Sequence, residues 1–199
     1  MVTFEIYRPC LEKAHNSILT SNFVSDNVIL LRHSRLSLGE IEVLFNMLSN
    51  PYDVSEEAIE DVDEGYVSMI SIDLPIAYSR DFFRTFGMDR WESVKEVLKN
   101  IKWRRGKKEV QLSLRFMGKP TVAFSFDTDD NKTFGKALDT IEYLMDVILF
   151  QIDAKRLPSE VSEVSYGFDK ENFRWYPSKA VSDNAEYGFS NEEWVIQQK

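Results

Sequence analysis

The sequence predicts an α+β fold: an antiparallel β-sheet with helices packed mainly on one face, followed by a C-terminal extension of irregular structure. Three observations support this. Residues 109–126 alternate apolar and polar about a Gly118-Lys119-Pro120 turn, as an antiparallel hairpin does. A long helical stripe, Phe134, Ala137, Leu138, Ile141, Leu144, Met145, Ile148, Leu149 and Ile152, follows directly. Upstream, strand-like and helix-like segments interleave.

Taken in order, Thr3 to Tyr7 fits a first strand, and Asn27 to Leu31 a second. Leu38, Ile41, Leu44, Phe45 and Leu48 mark an amphipathic helix, and Ser37 with Glu40 fits a capping box at its start. Asn50-Pro51 ends it. An acidic connector follows, with one helical turn expected near Glu56 to Asp61. In Tyr66 to Leu74 the residues Ile70, Ile72 and Leu74 share one face of a strand that Pro75 stops. Trp91, Val94, Val97, Leu98 and Ile101 mark the next helix, which Gly106 breaks. In the hairpin, Val110, Leu112, Leu114 and Phe116 face one way, with Val122, Phe124 and Phe126 opposite them. Asp129, Asp130 and Thr133 stand where the last helix begins, as residues that satisfy its free N–H groups.

After Pro158 no period persists. The expected organisation is a globular domain over 1–157 and an aromatic, mildly acidic extension over 158–199. Within the extension, Tyr166-Gly167-Phe168 is echoed by Tyr187-Gly188-Phe189, each with a tryptophan downstream, Trp175 and Trp194. Two copies of an aromatic element can dock on the domain itself or engage one partner bivalently.

Charge carries the functional signal. The 199-residue chain has a formal net charge of −9, yet residues 99–108 hold six positive charges and no negative one around Trp103. Residues 80–120 carry 12 basic residues against five acids, whereas residues 51–79 carry eight acids and no base. A local excess of one sign makes a field that the net charge hides. Lys and Arg bind phosphates, and an aromatic ring stacks single-stranded bases. The expected contact surface is Lys102, Trp103, Arg104, Arg105, Lys107, Lys108 and Arg115, with single-stranded DNA or RNA as partner. In the alternative, a protein-interaction module, the contacts are Tyr166, Phe168, Trp175, Tyr187, Phe189 and Trp194.

Other chemistries find little support. The single cysteine, Cys10, excludes an intramolecular disulfide, and His15 and His33 leave little for a zinc site. Asp127, Asp129 and Asn131 match the start of a calcium loop, but Lys132 and Leu138 stand where its glycine and final carboxylate belong. Asp73 and Asp127 form a magnesium site only if they meet in space. No glycine-rich phosphate loop, nucleophile triad or cofactor motif is present. No apolar run approaches the roughly 20 residues that span a bilayer. The N-terminus lacks a signal-peptide pattern, so a cytoplasmic location is expected.

Overall fold

Three helix-linked pairs of parallel strands, set side by side, and a closing antiparallel meander make up one nine-stranded sheet. The computed structural model describes residues 27–60 and 65–197. The strand expected at Thr3 to Tyr7, with Cys10 and His15, lies outside the described residues. The first pair is β1 (Val28–Ser34) and β2 (Asp53–Ala58), joined by α1 (Leu38–Leu48). The second is β3 (Ser68–Leu74) and β4 (Val110–Phe116), joined by α2 (Arg80–Phe86) and α3 (Met88–Arg105). The third is β5 (Thr121–Thr128) and β6 (Val161–Asp169), joined by α4 (Asn131–Thr140), a 3-10 turn (Ile141–Leu144) and α5 (Met145–Gln151). The meander is β7 (Arg174–Ser182), β8 (Glu186–Ser190) and β9 (Glu193–Ile196). The sheet order is β2-β1-β3-β4-β5-β6-β7-β8-β9.

The class is α+β, as expected, but the sheet is mixed rather than antiparallel. Strands within each helix-linked pair run parallel, and neighbouring pairs abut through antiparallel pairing, β1 with β3 and β4 with β5. The reason is geometric. A helix laid across a sheet returns the chain to the end where the preceding strand began, so the next strand enters in the same direction. Alternation along a strand reports its buried face and is silent about its direction.

Local signals place most elements. The Ser37/Glu40 capping box forms: Ser37 N–H donates to Glu40 Oε2 at 2.9 Å, and Glu40 N–H to Ser37 Oγ at 3.4 Å. Asp130 caps α4, its Oδ2 accepting from Thr133 N–H at 2.6 Å. The acidic connector differs from expectation. Its first part is an exposed edge strand, β2, paired with β1, and Glu56 and Glu57 charge an edge that would otherwise invite further pairing. The single long helix expected over Phe134 to Ile152 tightens into a 3-10 turn after Thr140, where the Ile141 carbonyl accepts from the Tyr78 hydroxyl.

The expected irregular extension is instead β6 to β9, the far side of the sheet. Tyr166, Phe168 and Trp175 are buried and pack against Phe124 and Phe126 of β5. The sequence echo therefore encodes two successive hairpins. In the first, Phe168 stands opposite Trp175; in the second, Phe189 stands opposite Trp194. The ring pairs match, at 5.1 Å and 65° and at 5.0 Å and 64°. Such cross-strand aromatic pairs stabilise a hairpin. Gly167 leaves room for Tyr176: a Cβ there would lie 2.9 Å from the tyrosine hydroxyl.

Candidate nucleic-acid interface

The basic run begins on α3, whose buried positions are Trp91, Val94, Lys95, Leu98, Ile101 and Lys102. Lys95 and Lys102 are seven residues apart and thus on one face of the helix. Lys95 is 1 % exposed, and its Nζ donates to Glu142 at 2.5 Å and pairs with Glu92 at 2.8 Å. Burial pushes its pKa down, but these carboxylates outweigh burial and hold it above the ordinary value. Lys102, also 1 % exposed, donates to the Gly106 carbonyl at 2.7 Å, the Asp129 carbonyl at 2.8 Å and Asn131 Oδ1 at 3.0 Å. Burial lowers its pKa. It ties the end of α3 to the start of α4. The chain leaves α3 through Gly106 at φ +59°, a left-handed conformation that favours glycine.

Arg105 is committed in the same way. Its Nη1 and Nη2 donate to the two Glu40 carboxylate oxygens at 2.9 and 2.7 Å, and its Nε to Ser68 Oγ at 2.9 Å. A further bond reaches the Arg35 carbonyl at 3.2 Å. Glu40 is buried, yet its carboxyl is held down to about 2: the Arg105 hydrogen bond comes first, burial opposes it, and the Ser37 N–H adds to the lowering. A depressed carboxyl stabilises the fold above its unfolded pKa of about 4.5, and the stabilisation is lost as pH falls from there through about 2. Urea unfolding is expected to show this loss for the natural chain. Glu40→Gln is expected to be less stable at neutral pH and to vary less with pH over that window. Equal pH profiles would remove Glu40 as the acid-sensitive group.

The outward-facing part of the run is Trp103, Arg104, Lys107 and Lys108. Of the four tryptophans, Trp91 and Trp175 are buried, Trp194 is half-buried and Trp103 is 70 % exposed. Arg104 is exposed, with Glu40 3.6 Å away as its nearest carboxylate partner. Lys107 and Lys108 are exposed and make no ion pair with any described residue. The structure adds two cations to this end of the sheet that the sequence does not group with the run. Arg35 follows β1, its carbonyl held by Arg105, and Lys132 follows Asn131, the partner of Lys102. Acids share this end, mostly engaged with neighbours. Glu109 is raised in pKa chiefly by its hydrogen bond to Asp127, which is correspondingly lowered and pairs with Lys170 at 3.0 Å. Asp130 is spent on its cap.

Arg115 stands apart from the others, on the sheet face away from the helices. Its Nη1 reaches Asp73 Oδ2 at 3.3 Å and its Nη2 reaches Glu163 Oε2 at 2.5 Å; Arg32 Nη2 meets the same Asp73 oxygen at 2.6 Å. An alternating ladder of charge thus crosses this face. Beside it, Ser71, Ser113 and Ser125 align on three neighbouring strands and floor a shallow cavity of about 360 Å³ bounded by Arg32 and Gln111. Asp73 aligns with Arg115, and Asp127 aligns with Gln111, four residues along β4. That offset is about 13 Å, so the two carboxylates share no metal site. Among the described residues, no group of three His, Cys, Asp or Glu side chains is placed to hold a metal ion.

The six tail aromatics are placed within the fold. Trp175 Nε1 donates to the Ala137 carbonyl at 3.0 Å, and Trp194 Nε1 to the Gln151 carbonyl at 3.1 Å. The Tyr166 hydroxyl bonds Gln151 Oε1 at 3.0 Å. Tyr187 packs half-buried on the core and Phe189 on Trp194.

No helix among the described residues is long and apolar enough to cross a membrane. No family model matches the chain, and no curated protein or solved structure compared with it is significantly similar.

Proposed function

We propose that this protein binds single-stranded nucleic acid without catalysis, through the end of the sheet where α3 terminates. The observation that carries the reading is Trp103, a 70 % exposed indole among the outward cations Arg104, Lys107 and Lys108. Exposing so large an apolar ring to water is unfavourable, and a base stacked on it removes that exposure while cations beside it neutralise the flanking phosphates. Lys102 and Arg105, in the same run, hold the indole in place by fastening the last turn of α3 to α4 and α1. Arg115 takes no part in this reading, because its guanidinium is engaged on the opposite face.

Fluorescence-anisotropy titration of a labelled oligothymidylate at two salt concentrations tests this. Trp103→Ala is expected to weaken binding by about 1–3 kcal/mol. Lys107→Ala with Lys108→Ala is expected to flatten the salt dependence by roughly 0.7 in log–log slope for each phosphate left without its cation. Absence of binding at low salt would overturn the proposal.

A further inference from the structure

The turn between β6 and β7 lies at the same end of the sheet as Trp103, because β6 runs parallel to β5 and β5 leads into α4 there. The turn is well tied. Asp169 Oδ1 accepts from the N–H groups of Glu171 and Asn172 at 2.9 and 3.0 Å, and Asp169 Oδ2 from Asn172 Nδ2 at 2.7 Å. Its last residue, Phe173, has φ +51°. That left-handed conformation suits glycine or asparagine and is strained for a bulky side chain. The ring is nonetheless left partly in solvent. It is 37 % exposed, and no other aromatic ring among the described residues packs against it. Its charged neighbour is Lys132, whose Nζ lies 5.4 Å from the ring centroid. Lys132 follows Asn131, which accepts from Lys102, the residue before Trp103, so the start of α4 that carries Lys132 is fastened to the end of α3 that carries the indole.

A bulky ring held at positive φ and left partly exposed points to a role outside folding. Resting on the reading above, we infer that Phe173 is a second stacking platform of the same surface, with Lys132 binding the phosphate between Phe173 and Trp103. Lys132 covers part of the ring, and the exposed part takes a base. A strand crossing from one ring to the other passes Lys132 on the way.

Phe173→Gly separates this role from a structural one, since glycine relieves the left-handed strain. In the full chain, the thermal midpoint is expected to hold or rise, while affinity for a labelled oligothymidylate of about 15 nucleotides falls roughly 5- to 150-fold. Phe173→Trp is expected to retain binding. Lys132→Ala is expected to reduce the salt slope by about 0.7. A lowered thermal midpoint in Phe173→Gly would overturn the inference, because the ring would then be packing. Unchanged affinity in Phe173→Gly, with Trp103→Ala still weakened, would also overturn it and leave the Trp103 reading standing. Unchanged affinity in both variants would remove that reading too. An oligoglutamate that binds as tightly as the oligothymidylate would mark a plain electrostatic surface and overturn base stacking at Phe173.

Discussion

A chain ending at Pro158 is expected to show no cooperative unfolding transition. Truncation there removes β6 to β9, and with them the buried side chains of Val164, Tyr166, Phe168 and Trp175. Full burial of each is worth about 1.5–3 kcal/mol. Their combined loss, roughly 10 kcal/mol, rivals the whole stability of an ordinary domain, about 5–15 kcal/mol. The cut also strips the neighbour from β5, uncovering Phe124 and Phe126, which pack against Tyr166, Phe168 and Trp175 in the intact sheet. The β5 edge left behind would be long and apolar, an aggregation site. Circular dichroism with urea titration of the shortened chain checks this. A sharp transition with near-native amplitude would show that residues 158–199 are dispensable.

The second large effect divides two adjacent arginines. Arg105→Ala is expected to cost about 3–5 kcal/mol, because it takes from the buried Glu40 carboxylate its two-pronged partner and leaves only the Ser37 N–H and the more distant Arg104 to offset the charge. Arg104→Ala is expected to change stability by no more than about 0.5 kcal/mol, as surface substitutions usually do. Adding Glu40→Gln to Arg105→Ala removes the stranded charge and is expected to recover part of the loss, a coupling that a double-mutant cycle measures. Equal effects of the two arginines would contradict the geometry at the start of α1. The contrast also governs how binding is tested. Any variant that includes Arg105 mixes unfolding with weakened binding, whereas Trp103, Arg104, Lys107 and Lys108 report on the surface alone.

The part of the fold legible in the sequence is local. The hairpin of β4 and β5, the capping box of α1 and the Asp130 cap of α4 are all read from neighbours in the chain, and all form as read. In β6, Val164, Tyr166 and Phe168 do alternate with Ser165, Gly167 and Asp169, a readable strand signal; β7 to β9 lack clean alternation, which hides the rest of the extension. Tyr176 and Gly167 face each other where a small and a large side chain share one space, and the β6–β7 register shifts twice, between Val161 and Glu163 and between Ser165 and Tyr166. The other available signal is the echo itself, whose Phe–Trp spacing suits a cross-strand pair in both copies.

The candidate site is half legible. Arg104, Lys107 and Lys108 face outward as a basic run suggests. Lys102 does not, and the sequence holds a clue: it stands seven residues after Lys95 and four after Leu98, on the apolar stripe of α3. Charge alone hides such a lysine, because its burial depends on acceptors supplied by other segments, here the Asp129 carbonyl and Asn131. Lys132 and Phe173 carry no signal, since their placement at the same end of the sheet as Trp103 exists only in three dimensions.

By itself the sequence determined the secondary elements with strong periodicity, their caps, the α+β class and the presence of a basic, tryptophan-centred segment. Only the tertiary structure decided strand direction, the membership of residues 161–196 in the sheet, and which charges of residues 99–108 reach solvent. The division follows from range. Periodicity and capping are set by residues within a few positions of one another, whereas parallel pairing and the partners of a buried charge depend on segments tens of residues away.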